Sequence, residues 1–245
     1  MVILHGILGS SRNWASAGPA LAEHFEVFAP DLPNHGESPD LDDMNFSSIT
    51  ERVVEWLDAE ELERMILMGH SLGGKVAMRL ADMHPDRVSC LVVVDIAPRD
   101  YELHSQPAME AMMAIDLEAL VSRRDAEDAL RETVPDTGMR KFLLTNLARD
   151  EEGHFVWRVN LSALLDALPM LARNPLEGRR GFPGPTLLMK GEKSNFVRPK
   201  DEAVLRKWFP DSQILTIRDA GHNLHHDNLP AFVNALVRHC GPSVV

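Results

Sequence analysis

The segment Gly69-His70-Ser71-Leu72-Gly73 restricts the fold of this chain more than any other. It is a G-x-S-x-G sequence placed directly after the apolar run Met65 to Met68 and directly before an amphipathic stretch beginning at Leu72. A strand that becomes a helix within so few residues forces the serine into a strained backbone. Glycines two residues to either side, with Gly74 beyond, let strand and helix approach without side-chain collision. The hydroxyl then stands at the C-terminal edge of a sheet, near the positive end of a helix dipole.

The remaining pattern supplies the sheet. Val2 to Leu4, Glu26 to Ala29, Met65 to Met68 and Val88 to Val94 read as strands. Between them, Ser48 to Ala59 carries Ile49, Val53, Trp56 and Leu57 at helical spacing, and Leu72 to Met83 repeats this with Val76, Leu80 and Met83. From Pro98 to about Gly184 strand runs disappear and Met-, Ala-, Leu- and Arg-rich helical segments take over. Alternation returns with Thr186 to Met189, a helix near Lys200 to Phe209, Gln213 to Ile217 and a last helix from Leu229 to His239. The class is α/β: a core of residues 1–97 and 185–245 around a mostly parallel sheet flanked by helices, with residues 98–184 inserted as a helical cap.

Composition excludes several functions. Acids outnumber bases 37 to 25, a net charge of −12, and no local basic patch offsets it, so nucleic acid is not expected as a partner. No stretch reaches the roughly 18 apolar residues of a membrane span, so no integral membrane segment is expected. The two cysteines, Cys90 and Cys240, the first in an apolar run, fit a reduced intracellular protein. Met1 to Gly6 lacks the basic region and cleavage site of a signal peptide. It enters a buried strand almost at its first residue, so a preceding segment is expected. The compartment expected is the cytoplasm, or a mitochondrion or plastid if that segment carries an address.

A serine hydroxyl is a poor nucleophile until a base takes its proton. Of eleven histidines, His222 is the candidate, because Asp219-Ala220-Gly221-His222 follows the last strand run, where a loop returns to the same sheet edge. His225, His226 and Asp227 beside it suggest a metal, but zinc needs three or four convergent ligands and adjacent histidines diverge, so no metal is expected. The acid that orients the imidazole is not where hydrolases of this kind usually carry it. Ser194 occupies that place in Gly191-Glu192-Lys193-Ser194-Asn195-Phe196, and Glu192 is out of register. Asp95, ending Val92-Val93-Val94-Asp95, is the leading candidate, with Asp219 and Asp166 as alternatives. Backbone N–H groups of Leu72 and of Ile7, in His5-Gly6-Ile7-Leu8-Gly9, are candidate oxyanion donors. His5, Asp31 and His35 read as braces of the sheet edge.

With these residues in view, the chain resembles the α/β-hydrolase superfamily. Within it, the chain is similar to the esterase subfamily typified by alpha/beta-hydrolase domain-containing protein 11 and its bacterial relatives. Leu4-His5-Gly6, Asn34-His35-Gly36, Gly69 to Lys75, Asp95-Ile96-Ala97-Pro98 and Ala220-Gly221-His222 carry the likeness. So do the cap segments Phe142 to Leu147 and Phe155 to Leu161. The resemblance includes Ser194 and strengthens Asp95. It implies hydrolysis of small-molecule acyl esters, lipid esters or thioesters without a cofactor. It also implies an N-terminal β-hairpin that this sequence does not show. Met109, Met112, Met113, Leu164, Leu165 and Leu168 would line an acyl pocket or form the lid's own core. The alternative function is a ligand- or partner-binding protein on the same fold. No residue identifies a specific substrate or an oligomeric state.

Overall fold

The structure, a computed structural model, describes residues 1–241. Its strands in chain order are β1 (Val2–Leu4), β2 (Met65–His70), β3 (Val88–Val94), β4 (Leu147–Arg149), β5 (Phe155–Trp157), β6 (Thr186–Gly191) and β7 (Ser212–Ile217). Five of them form one sheet in the order β1-β2-β3-β6-β7, every neighbouring pair parallel. Its helices are α1 (Ala17–Ala22), α2 (Phe46–Ala59), α3 (Leu72–Met83), α4 (Gln106–Met113), α5 (Arg123–Leu130), α6 (Thr137–Leu144), α7 (Leu161–Leu171), α8 (Pro199–Trp208), α9 (Leu224–Asp227) and α10 (Leu229–Cys240).

β3 shows why the sheet is parallel and central. Its side chains alternate between two apolar layers: Leu91 and Val93 pack with Leu67, Val76 and Leu205, whereas Cys90, Val92 and Val94 pack with Leu21, Phe232 and Leu236. A strand buried on both faces must be apolar throughout, as this one is. The register pairs Leu4 with Gly69, His70 with Val94, Val94 with Met189 and Gly191 with Ile217, which aligns the C-terminal strand ends along one edge. The loops bearing Ile7, Ser71, Asp95 and His222 therefore open at that edge.

Two expectations are corrected. Glu26 to Ala29 is not a regular strand: it joins β1 through one parallel bridge between Phe28 and Val2, with Phe28 N–H donating to the Met1 carbonyl at 2.9 Å. Pro30 follows at once and has no N–H to extend the ladder. The inserted segment is not wholly helical either. α4 to α7 are interrupted by the antiparallel pair β4–β5, closed through Gly153 at φ 89°. Met109, Met112, Leu164 and Leu168 are buried in one apolar cluster that runs on into the sheet core through Leu72, Val76 and Leu91, while Met113 is 47% exposed.

Lys75 fastens the insertion to the core. This buried side chain of α3 donates to the carbonyls of Leu171, Ala172 and Arg173 at 3.0, 2.8 and 2.7 Å, satisfying the C-terminal end of α7. Burial pushes its ammonium down to about 7. No helix among the described residues is long and apolar enough to cross a membrane.

The glycines of the motif carry the close packing. A Cβ on Gly69 would drive into the Gly73 carbonyl, and one on Gly73 into the carbonyls of Leu4 and His5. Backbone cannot yield as a side-chain tip can. Gly73→Ala is expected to lose about 3 kcal/mol, the upper end for overpacking, measured as a lower urea midpoint with an unchanged m-value.

Candidate active site

Ser71 sits between β2 and α3 at φ 53° and ψ −117°, a conformation that costs a non-glycine residue on the order of 1–3 kcal/mol. Its neighbours hold it there. Ser71 N–H donates to the Val94 carbonyl at 3.1 Å, and Lys75 N–H donates back to the Ser71 carbonyl at 3.1 Å. Leu72 is the first residue of α3, so its N–H has no acceptor inside the helix.

The loop after β1 lies against the serine. A Cβ on Gly6 would come within 3.2 Å of Ser71 Cβ and 3.1 Å of His70 Nδ1. Among the described residues the N–H groups of Ile7 and Leu72 donate to no protein acceptor. The loop is braced where the sequence suggested. His5 Nδ1–H donates to the Gly6 carbonyl at 2.8 Å and its Nε2 accepts from Leu32 N–H at 2.9 Å. His35 Nδ1–H donates to the Pro33 carbonyl at 2.9 Å and its Nε2 accepts from Leu8 N–H at 3.2 Å. Asp31 accepts from the N–H groups of Ser11 and Glu37 at 2.6 and 2.8 Å. Asn146 of the insertion donates to the Leu8 carbonyl at 2.8 Å, which ties the insertion to the same loop.

Asp95 and His222 come together. Asp95 has no solvent exposure, and its Oδ2 accepts from His222 Nδ1–H at 2.8 Å. Its Oδ1 accepts from Gly191 N–H at 3.0 Å, and Ser194 Oγ–H donates to Oδ2. The donor from His222 fixes the ring tautomer and leaves the Nε2 lone pair outward. Among the described residues neither His222 Nε2 nor Ser71 Oγ makes a hydrogen bond to a protein group, and the two are not hydrogen-bonded to each other. The alternatives for the acid lie elsewhere: Asp219 is paired with Lys193 at 3.1 Å on the surface, Glu192 accepts from Asp219 N–H, and Asp166 is exposed on α7. His225 is buried 4.3 Å from the Trp14 ring whereas His226 is 79% exposed, so this adjacent pair diverges.

Several contributors escaped the sequence. Phe196 stacks on the His222 ring with centroids 3.8 Å apart and planes 18° apart. Its carbonyl accepts from Tyr101 Oη at 2.8 Å and Arg99 Nη2 at 3.1 Å, and its N–H donates to Ser194 Oγ at 3.2 Å. His70 also touches it, 4.6 Å from His222 between ring centroids, with Nε2–H donating to the His222 carbonyl at 2.8 Å. Ser194 standing where an acid was expected was the one signal in the sequence that could have located this cluster.

The family described as alpha/beta hydrolase fold matches residues 1–229. The chain belongs to that family. Among its α/β-hydrolase relatives, the sn-1-specific diacylglycerol lipase ABHD11 of Mus musculus is 36% identical over 244 residues, covering 96% of this chain and 79% of the relative. Esterase YbfF of Escherichia coli is 29% identical over 240 residues, covering 98% and 92%. A solved marine microorganism esterase superposes with a TM-score of 0.93 at 33% identity, covering 97% of this chain and 94% of that one. The protein is an esterase- or lipase-like α/β hydrolase.

Burial keeps the histidines around this candidate site neutral. It lowers the pKa of His5, pushes His35 down to about 3, holds His70 well below 6.5 and brings His225 to about 4. Near pH 6.5 the unfolded chain takes up protons that the folded chain refuses, so this part of the stability is complete above 6.5 and is lost as pH falls toward 4 and then 3. The unfolding free energy from urea titrations is expected to decline steadily over that window, and a flat profile would contradict neutral braces.

Proposed function

We propose that the protein is a serine hydrolase that cleaves acyl esters through Ser71, His222 and Asp95. The observation that carries this reading is the 2.8 Å bond from His222 Nδ1 to buried Asp95, at the sheet edge where Ser71 stands in its strained turn. His222 Nε2 removes the Ser71 proton as Oγ attacks the ester carbonyl carbon. The carbonyl oxygen becomes an oxyanion, received by the N–H groups of Leu72 and Ile7, each worth about 3–4 kcal/mol in such sites. Collapse breaks the bond to the leaving alkoxide, and His222 returns the proton to it as an alcohol. Water then attacks the acyl-enzyme by the same route and releases the acid.

Asp95 orients the imidazole and stabilises the imidazolium that forms. Phe196 stacks on the ring and His70 packs against it, so rotation of His222 works against both contacts. The mechanism uses no cofactor. The class of substrate is suggested by relatives named as a diacylglycerol lipase and as esterases: an ester with an apolar acyl chain, of which a lipid ester is one form.

Kinetics on p-nitrophenyl esters of graded chain length test this. Ser71→Ala should reduce turnover to background, and a rate equal to the parent would refute the mechanism. Asp95→Asn should lower kcat by on the order of a thousandfold or more with folding intact, and near-parental activity would refute its role.

A further inference from the structure

We propose that Cys90, His239 and Cys240 form a binding site for one thiophilic metal ion of the zinc class, at the end of the sheet opposite the hydrolase site. One ligand atom from each of these residues lies within 4.8 Å of the others. The thiols are both free, with their sulfurs pointing at each other 2.8 Å apart. His239 Nε2 is buried without a hydrogen-bond partner, a state that buried polar atoms rarely keep unless something else occupies them. Asp211, just before β7, is close enough for its negative charge to act on both Cys90 and His239.

The chemistry suits a soft or borderline cation. Two sulfurs and one imidazole are the donors that zinc takes in tetrahedral sites, and a fourth position would remain for water. With metal–sulfur bonds of about 2.3 Å, tetrahedral ligands stand roughly 3.8 Å apart. The sulfurs must therefore separate by about 1 Å. Cys240 and His239 end α10, where side-chain torsions can supply that movement. Cys90 lies early in β3, so a bound ion would join the last helix to the central strand. On binding, each coordinating thiol gives its proton to solvent, and the ion holds the thiolates.

The test is a titration of the reduced full chain with Co²⁺ in the absence of oxygen. One equivalent should produce a thiolate-to-cobalt charge-transfer band and the strong d–d bands of a tetrahedral ion, and Zn²⁺ should displace them. Cys240→Ser, at the half-buried end of the site, should abolish the charge-transfer band while esterase activity stays parental. His239→Ala should weaken binding at least tenfold. Zn²⁺ should also raise the thermal midpoint of the parent and leave that of Cys240→Ser unchanged. Absence of a thiolate band with both thiols reduced, a band that survives Cys240→Ser, or recovery of the pair as a disulfide despite excess reductant would each overturn the proposal.

Discussion

Asp95 is a carboxylate with no solvent exposure, and the geometry of the site follows from how its charge is satisfied. An uncompensated buried charge would cost several kcal/mol. Donors from three different segments remove that cost: Gly191 N–H at the end of β6, the Ser194 hydroxyl in the loop that follows, and His222 Nδ1 beyond β7. One side chain therefore anchors three loops to the end of β3. Asp95 adopts φ 50° to reach them, as Ser71 adopts φ 53° at the neighbouring strand end. Two adjacent strained residues persist because the hydrogen bonds and close glycine contacts around them leave no alternative path for the chain.

The insertion is bound to this edge by specific polar contacts as well as by its apolar face. Asn146 reaches the Leu8 carbonyl, Asn160 N–H donates to the Asn34 carbonyl at 3.0 Å, and Lys75 holds the end of α7 from within the core. The loop that would receive the oxyanion is thus fixed from below by His5 and His35 and from above by the insertion. Preorganised donors are what electrostatic stabilisation of a transition state requires. The burial that keeps those histidines neutral serves the same end, since a protonated His35 could no longer accept from Leu8 N–H.

Much of this was legible in the sequence because it depends on local rules. The apolar runs and the 3.6-residue spacing located β2, β3, α2 and α3 to within a few residues, and Gly69 to Gly73 specified the strained junction by itself. Asp95 was singled out by its place at a strand end, which parallel register sets beside Ser71, and the structure bonds it to His222. What was hidden depends on contacts between distant segments. Phe196 looks like any loop aromatic until Tyr101 and Arg99 fix its carbonyl and turn its ring onto His222. The β4–β5 pair is too short for its periodicity to register, and the segment Glu26 to Ala29 looked like a strand because its alternation gives no sign that a single bridge would be its only pairing. The convergence of Cys90 with Cys240 could not be read across a separation of 150 positions.

The central proposal is that Ser71 is a nucleophile activated by His222 and Asp95. Its most direct test is treatment of the folded protein with a fluorophosphonate, followed by peptide mapping by mass spectrometry. The account predicts stoichiometric phosphonylation at the Ser71 hydroxyl, fast in the parent and slowed severely in His222→Ala. No labelling of folded protein, or labelling at another residue with Ser71 unmodified, would contradict it.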